Sequence, residues 1–287
     1  MRSLLLSIRC SYPNHYFDWP CQSFLVEIGA NGEERTFALD GSLPPRLYQG
    51  PNLHPKRMKP NKPQNRQPAF LFDLDGTLID SVYEHSLAWQ EALEKIGIHL
   101  PVAVIHRRIG MSGETLLHAF QREAGKKISA PKMKRSERLH TNAFRKHFHQ
   151  VRPLIGASEL LQELSRLHVP WAIATSGQRE DAAQALKLLK LRRNIVIVTK
   201  DDVEKTKPEP DLFFAAAAKL GMELEKCVVV GDSVWDLLAA QRARAIGVGL
   251  LSGGVGEDEL ERAGAYRVYR DASDLLAHLD DFGILGN

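Results

Sequence analysis

Two aspartates stand two residues apart at the end of an apolar run, Phe70-Leu-Phe-Asp-Leu-Asp-Gly-Thr77, at positions 73 and 75. A buried strand gains nothing from acids at its end, whereas the mouth of an α/β sheet is where such proteins bind ligands. Strand alternation is expected to send Asp73 and Asp75 to one side, and Gly76 lets the chain leave in a conformation other residues resist. Two carboxylates this close repel and need a cation or a shared proton. A hard divalent ion that prefers oxygen, such as Mg²⁺, meets that need. Further polar residues follow later apolar runs: Thr175 and Ser176 after Trp171-Ala-Ile-Ala, and Asp232 with Asp236 after Cys227-Val-Val-Val-Gly. Lys207 sits in the polar loop Lys205-Thr-Lys-Pro-Glu-Pro-Asp211. Carboxylates for a metal, a hydroxyl and a lysine together suit a phosphoryl group.

These residues converge only if the runs before them are neighbouring parallel strands. The pattern predicts strands at 69–73, 171–175, 195–199, 227–232 and 246–250, with a short last one at 266–269. Helices are expected at 157–167, 180–191, 210–220 and 236–244. Such alternation implies an α/β fold, a doubly wound, mostly parallel Rossmann-like sheet whose strand ends gather at one edge. Residues 82–152 break the alternation. Apolar positions at helical period from Val82 to Ile96, a helix starting at Ser112 as cap, and a basic stretch from about Pro131 to Gln150 read as an all-helical insertion after the first strand. The expected organisation is a leader at 1–68, a core at 69–81 and 153–287, and a small helical cap at 82–152.

A chain of 287 residues with 44% hydrophobic and 25% charged content is ordinary for a globular protein. No run is long enough to cross a bilayer, and Leu4-Leu-Leu6 is too short for a signal-peptide core. A cytoplasmic protein with no membrane partner is expected. Cys10, Cys21 and Cys227 match no zinc spacing. The net charge of +3 belongs to the leader, which holds nine Lys/Arg against five Asp/Glu, while the remainder has 29 against 30. A near-neutral body argues against nucleic acid as partner. The leader also holds nine of the fifteen prolines. From Ser42 to Pro68 it reads as disordered linker, and residues 23–40 as a possible hairpin turning at Asn31-Gly32. It is a targeting or interaction arm, an accessory hairpin, or sequence upstream of a start at Met58, the last being favoured.

Four stretches in order, Asp73-Leu-Asp-Gly-Thr77, Thr175-Ser-Gly177, Lys207-Pro-Glu-Pro-Asp211 and Gly231-Asp-Ser-Val-Trp-Asp236, resemble the motifs of the haloacid dehalogenase-like hydrolases. The resemblance covers about residues 69–280. The insertion is similar to the family's helical cap, in the subgroup of β-phosphoglucomutase and phosphoglycolate phosphatase. It implies Asp73 as nucleophile and Asp75 as acid, then base. Lys207 would pair with Asp73 and the phosphoryl group, and Thr175, with Ser176, would bind the latter. Mg²⁺ would be held by Asp73, the Asp75 carbonyl and Asp232, and by Asp236 directly or through a bound water. His85, Arg108 and Ser112 are expected to face the substrate from the cap, and Trp89 and the stretch 107–112 with them. Asp75 disfavours the dehalogenases, which lack an acid there.

The implied activity is hydrolysis of a small phosphorylated metabolite by a monomer or homodimer. The alternatives are a phosphomutase, against which Thr77 leans slightly, and a non-catalytic phospho-ligand binder. Taken singly, each motif has an ordinary reading: Asp236 as a first-turn acid, Thr175 as a helix cap, Lys207 as a surface lysine. The cap histidines, without metal spacing, and the basic run 132–146 read as solvated helix faces, and Leu251-Ser-Gly-Gly-Val-Gly256 as a turn at a strand end.

Overall fold

Ala69-Phe-Leu-Phe72 is buried on both faces, the condition of a central strand in a parallel sheet. The computed structural model describes residues 24–28, 34–38, 67–111, 113–191 and 195–285. The chain falls into two units, Met1–Pro63 and Gln64–Asn287. In the first, β1 (Phe24–Ile28) and β2 (Glu34–Ala38) pair antiparallel, Phe24 opposite Ala38. Residues 42–66 of the linker expected from Ser42 to Pro68, the turn at Asn31-Gly32 and Met58 lie outside the described residues.

The second unit runs β3 (Ala69–Phe72), β4 (Ile79–Asp80), α1 (Val82–Glu94), α2 (Val102–His106), α3 (Gly113–Glu123), α4 (Ala130–His147) and β5 (Arg152–Pro153). It continues α5 (Ala157–Arg166), β6 (Trp171–Ala174), α6 (Arg179–Leu188), β7 (Ile197–Val198), α7 (Asp211–Leu220) and β8 (Cys227–Gly231). Then come α8 (Val234–Arg242), β9 (Ile246–Leu250), α9 (Glu257–Arg262), β10 (Arg267–Tyr269) and α10 (Ala272–Ala277). Six strands form one sheet in the order β10-β9-β8-β3-β6-β7, every pairing parallel.

Alternation along β3 divides the core. Phe70 and Phe72 join Ile173, Val230, Leu160 and Leu164 on one face, and Ala69 and Leu71 join Ala172, Val229, Phe213 and Ala240 on the other. Chain order moves outward from β3 through β6 to β7, then returns to β8 on its other side. The β3–β8 seam is therefore a topological switch point, the crevice where open α/β sheets take ligands.

Residues 82–151 contain α1 to α4 and no described strand. Their core gathers Trp89, Leu93, Ile105, Leu117 and Phe120, and Trp235 of α8 joins it. The basic residues of α4, among them Lys134, Arg135 and Arg138, are exposed, as read from the sequence. Three short helices and one strand pair escaped the sequence reading. The one-turn helix α2 is too short for a periodic signal, and α9 and α10 are similarly brief. The strand pair is β4–β5, Ile79 opposite Pro153 and Asp80 opposite Arg152. It clasps the chain's entry to the helical insertion against its exit.

Candidate active site

Asp73 follows β3 directly, and its N–H donates to the carbonyl of Val230 at 2.8 Å. That ladder bond holds Asp73 beside the end of β8, where Asp232 begins the next turn. The turn leads into α8 through a capping box: the Ser233 hydroxyl donates to Oδ2 of Asp236 at 2.6 Å, and the Ser233 N–H donates to the same atom at 3.2 Å. Asp236 is thus a first-turn acid and also a member of the site. Its Oδ1 lies 2.7 Å from Nζ of Lys207, which also pairs with Oδ1 of Asp73. Lys207 is fully buried, so this is no surface lysine.

One ammonium here faces three buried carboxylates, those of Asp73, Asp232 and Asp236, whose oxygens lie within 4.8 Å of one another. Burial works against the charge of Lys207, but Asp236 and Asp73 outweigh it and hold the amine above its ordinary range. Burial pushes Asp73 up to about 7, Asp236 and Asp75 push the same way, and Lys207 only partly reverses it. Asp232 is driven well above the carboxylate range by burial and by Asp236 and Asp73, against the Thr77 hydroxyl that donates to it at 2.8 Å. The cluster is short of positive charge. Its donors are all oxygens, which fits a hard divalent cation. The backbone leaves room at Asp232: a Cβ on Gly253 would lie 1.8 Å from Oδ2, and one on Gly76 2.3 Å from it. Asp73, Asp232 and Asp236 could hold a metal there.

Asp75 has different partners. Alternation does not position it, because the strand ends at Phe72 and the chain turns at Gly76, whose φ is +84°. Asp73 and Asp75 nevertheless line the same cavity. Ser81 donates to Asp75 Oδ1 at 2.7 Å, His85 Nε2 lies 3.4 Å from the same oxygen, and Thr175 donates to Oδ2 at 3.4 Å. Burial raises this carboxyl, but the bonds from His85 and Ser81 prevail and hold it below the usual range.

A cavity of about 110 Å³ lies between the strand ends and the helical insertion. Asp73, Asp75, Thr175 and Ser176 line it from below, and His85, Trp89 and Met111 from above. Ser176 donates to the Gly110 carbonyl at 3.1 Å. Arg108 does not line the cavity: its guanidinium pairs with Glu123 and lies 6.0 Å from the Trp235 ring centroid. Ser112 lies outside the described residues.

Other residues at the site were not singled out in the sequence. His140, read as solvated, is enclosed between His85 and Trp89, and burial with His85 and Lys200 nearby holds its imidazole well below the ordinary range. Lys200 also lines the cavity. The 251–253 turn is part of the site: Ser252 donates to the Gly76 carbonyl at 2.7 Å, and His106 Nε2 lies 2.9 Å from the Gly253 carbonyl. The stripe of His140 and Phe144, four apart on α4, was the available sign of an inward face.

Residues 70–248 match the family model of the haloacid dehalogenase-like hydrolases. A hexitol phosphatase A from Escherichia coli (strain K12) is 33% identical over 174 residues, 61% of this chain and 78% of that protein. A β-phosphoglucomutase from Bacillus subtilis (strain 168) is 28% identical over 217 residues, 74% of this chain and 92% of that one. The crystal structure of a hydrolase from Pseudomonas syringae superposes with a TM-score of 0.73 at 51% identity, covering 75% of this chain and 99% of that chain.

Proposed function

Because the chain belongs to the haloacid dehalogenase-like hydrolases, we propose that it is a Mg²⁺-dependent phosphatase of a small phosphorylated metabolite. A sugar or polyol phosphate, or a phosphoglycolate-like ester, is the substrate class. The observation that carries this reading is the division of labour between two acids. Asp73 is clamped to Lys207 within the carboxylate cluster, while Asp75 is held apart by Ser81 and His85 at the cavity wall.

Asp73 attacks phosphorus, the P–O bond to the substrate alcohol breaks, and an aspartyl-phosphate forms. Asp75 gives its proton to the departing oxygen, then takes one from the water that hydrolyses the acyl phosphate. In the free protein Asp75 favours its base form. An anionic phosphoryl group beside it raises its pKa and supplies the acid form for the first half-reaction. Lys207 and the Thr175 hydroxyl receive the phosphoryl oxygens. Bound Mg²⁺, with Asp73, Asp232 and Asp236 as the carboxylates to hold it, supplies charge shielding that lets an anionic nucleophile meet an anionic ester.

Transfer of the phosphoryl group to a second hydroxyl, as in a mutase, uses the same residues. Among the described residues no helix is long and apolar enough to cross a membrane. The test is phosphate release from a panel of sugar phosphates, polyol phosphates and phosphoglycolate, with Mg²⁺ and with a chelator. Metal-dependent release supports the phosphatase. Turnover only after addition of a bisphosphorylated activator points to the mutase, and ligand binding with no turnover at all points to a phospho-ligand binder.

A further inference from the structure

Asp75 sits at one end of a chain of side chains that continues into the cap. His85 Nε2 is 3.4 Å from Asp75 Oδ1, and His85 Nδ1 is 3.1 Å from His140 Nε2. The two rings lie in an aromatic stack. His85 packs on Phe144 with centroids 3.8 Å apart, and His140 packs on Trp89 at 4.2 Å, both within 16° of parallel. Neither imidazole can rotate without breaking that stack. α1 supplies His85 and Trp89, and α4 supplies His140 and Phe144.

We infer that His140 is a positioning residue for the acid–base Asp75, acting through His85. A single proton lies between His85 Nδ1 and His140 Nε2. When His140 donates it, the His85 proton sits on Nε2 and is directed at Asp75 Oδ1. Ser81 donates to that same oxygen at 2.7 Å. With Oδ1 occupied twice, Oδ2 is the oxygen left to carry the transferable proton, and it lies 3.4 Å from the hydroxyl of Thr175, a residue of the cavity wall. Without the His140 bond, the two tautomers of His85 compete. The one bearing its proton on Nδ1 presents a lone pair to Oδ1 and releases the carboxyl to rotate. The inference rests on the phosphatase reading above. In that reaction Asp75 O–H protonates the leaving alkoxide as the P–O bond breaks and the Asp73–phosphorus bond forms.

The test separates proton delivery from general damage by varying the leaving group. An alkyl phosphate needs a proton as it departs, and p-nitrophenyl phosphate does not. kcat/KM reports the steps through the first departure. His140→Phe keeps a ring on Trp89 and removes the hydrogen bond, while His140→Gln places an amide group where Nε2 lay. For His140→Phe we expect kcat/KM on a polyol phosphate to fall about tenfold or more, and that on p-nitrophenyl phosphate to stay within about twofold. His140→Gln should recover most of the loss. Equal losses on both esters, no loss on either, or a Gln variant no better than Phe would overturn the inference. A wild-type protein that releases phosphate from neither ester would overturn the phosphatase reading, and the inference with it.

Discussion

Gly253 touches Asp232 so closely that a Cβ there would lie 1.8 Å from the carboxylate oxygen Oδ2. The two residues stand at the ends of adjacent strands, β8 and β9. The turn after β9 therefore helps set where the Asp232 carboxylate points. Gly253→Ala should displace that carboxylate and raise the half-saturating Mg²⁺ concentration about 10- to 100-fold, the usual cost of disturbing a ligand's support. Excess metal should restore much of the phosphate release. A metal titration of activity checks this, and an unchanged half-saturation point would place the cation elsewhere.

On the proposed mechanism Asp73→Asn is expected to lower turnover by about 10³-fold or more, since an amide does not replace the carboxylate that attacks phosphorus. The variant should fold, and without metal it should be at least as stable as the wild type, because it removes one of three crowded acids. Phosphate release and thermal melting, measured side by side, decide the point. Turnover near the wild-type level would sink the assignment of Asp73.

Lys207 neutralises Asp73 and Asp236 from a fully buried position. Lys207→Met should cost about 3–5 kcal/mol of stability, the range for stranding buried partner charges. Denaturant unfolding in the presence of a chelator measures it. A loss near zero would mean that solvent reaches the cluster.

The same crowding predicts a pH dependence with a definite sign. Asp73 titrates at about 7 in the folded protein against a usual value of 3.8. Between those values the unfolded chain has released the proton and the folded chain keeps it, so this group's contribution to stability falls as pH rises from about 4 to about 7. Asp232, raised in the same direction by burial and by Asp236 and Asp73, adds to that loss. Mg²⁺ displaces those protons, so it should raise the melting temperature more at about pH 8 than at about pH 5.5. Melting curves with Mg²⁺ and with chelator at both values test this. Equal shifts would argue against metal binding at these carboxylates.

Much of this protein was written locally. Apolar runs ending in acids marked β3 and β8, because a strand buried on both faces has no other place for charge. The alternation of runs with amphipathic segments implied the parallel sheet, and with it a common edge for Asp73, Thr175 and Asp232. Lys207 stood out only through its setting, and its burial between two carboxylates came from the fold.

What the linear chain left open depends on distance in sequence. His85 meets His140 across 55 residues, and Ser252 reaches Gly76 across 176. No local period encodes such a meeting, because each partner is an ordinary polar residue until packing removes water from both. The same holds for Arg108, whose capture by Glu123 turns it away from the cavity. Residue type and spacing determined the chemistry available at the sheet edge. Only the tertiary structure decided which acid pairs with the lysine, which is held by the cap, and which histidine stands behind it, because those choices are made by contact.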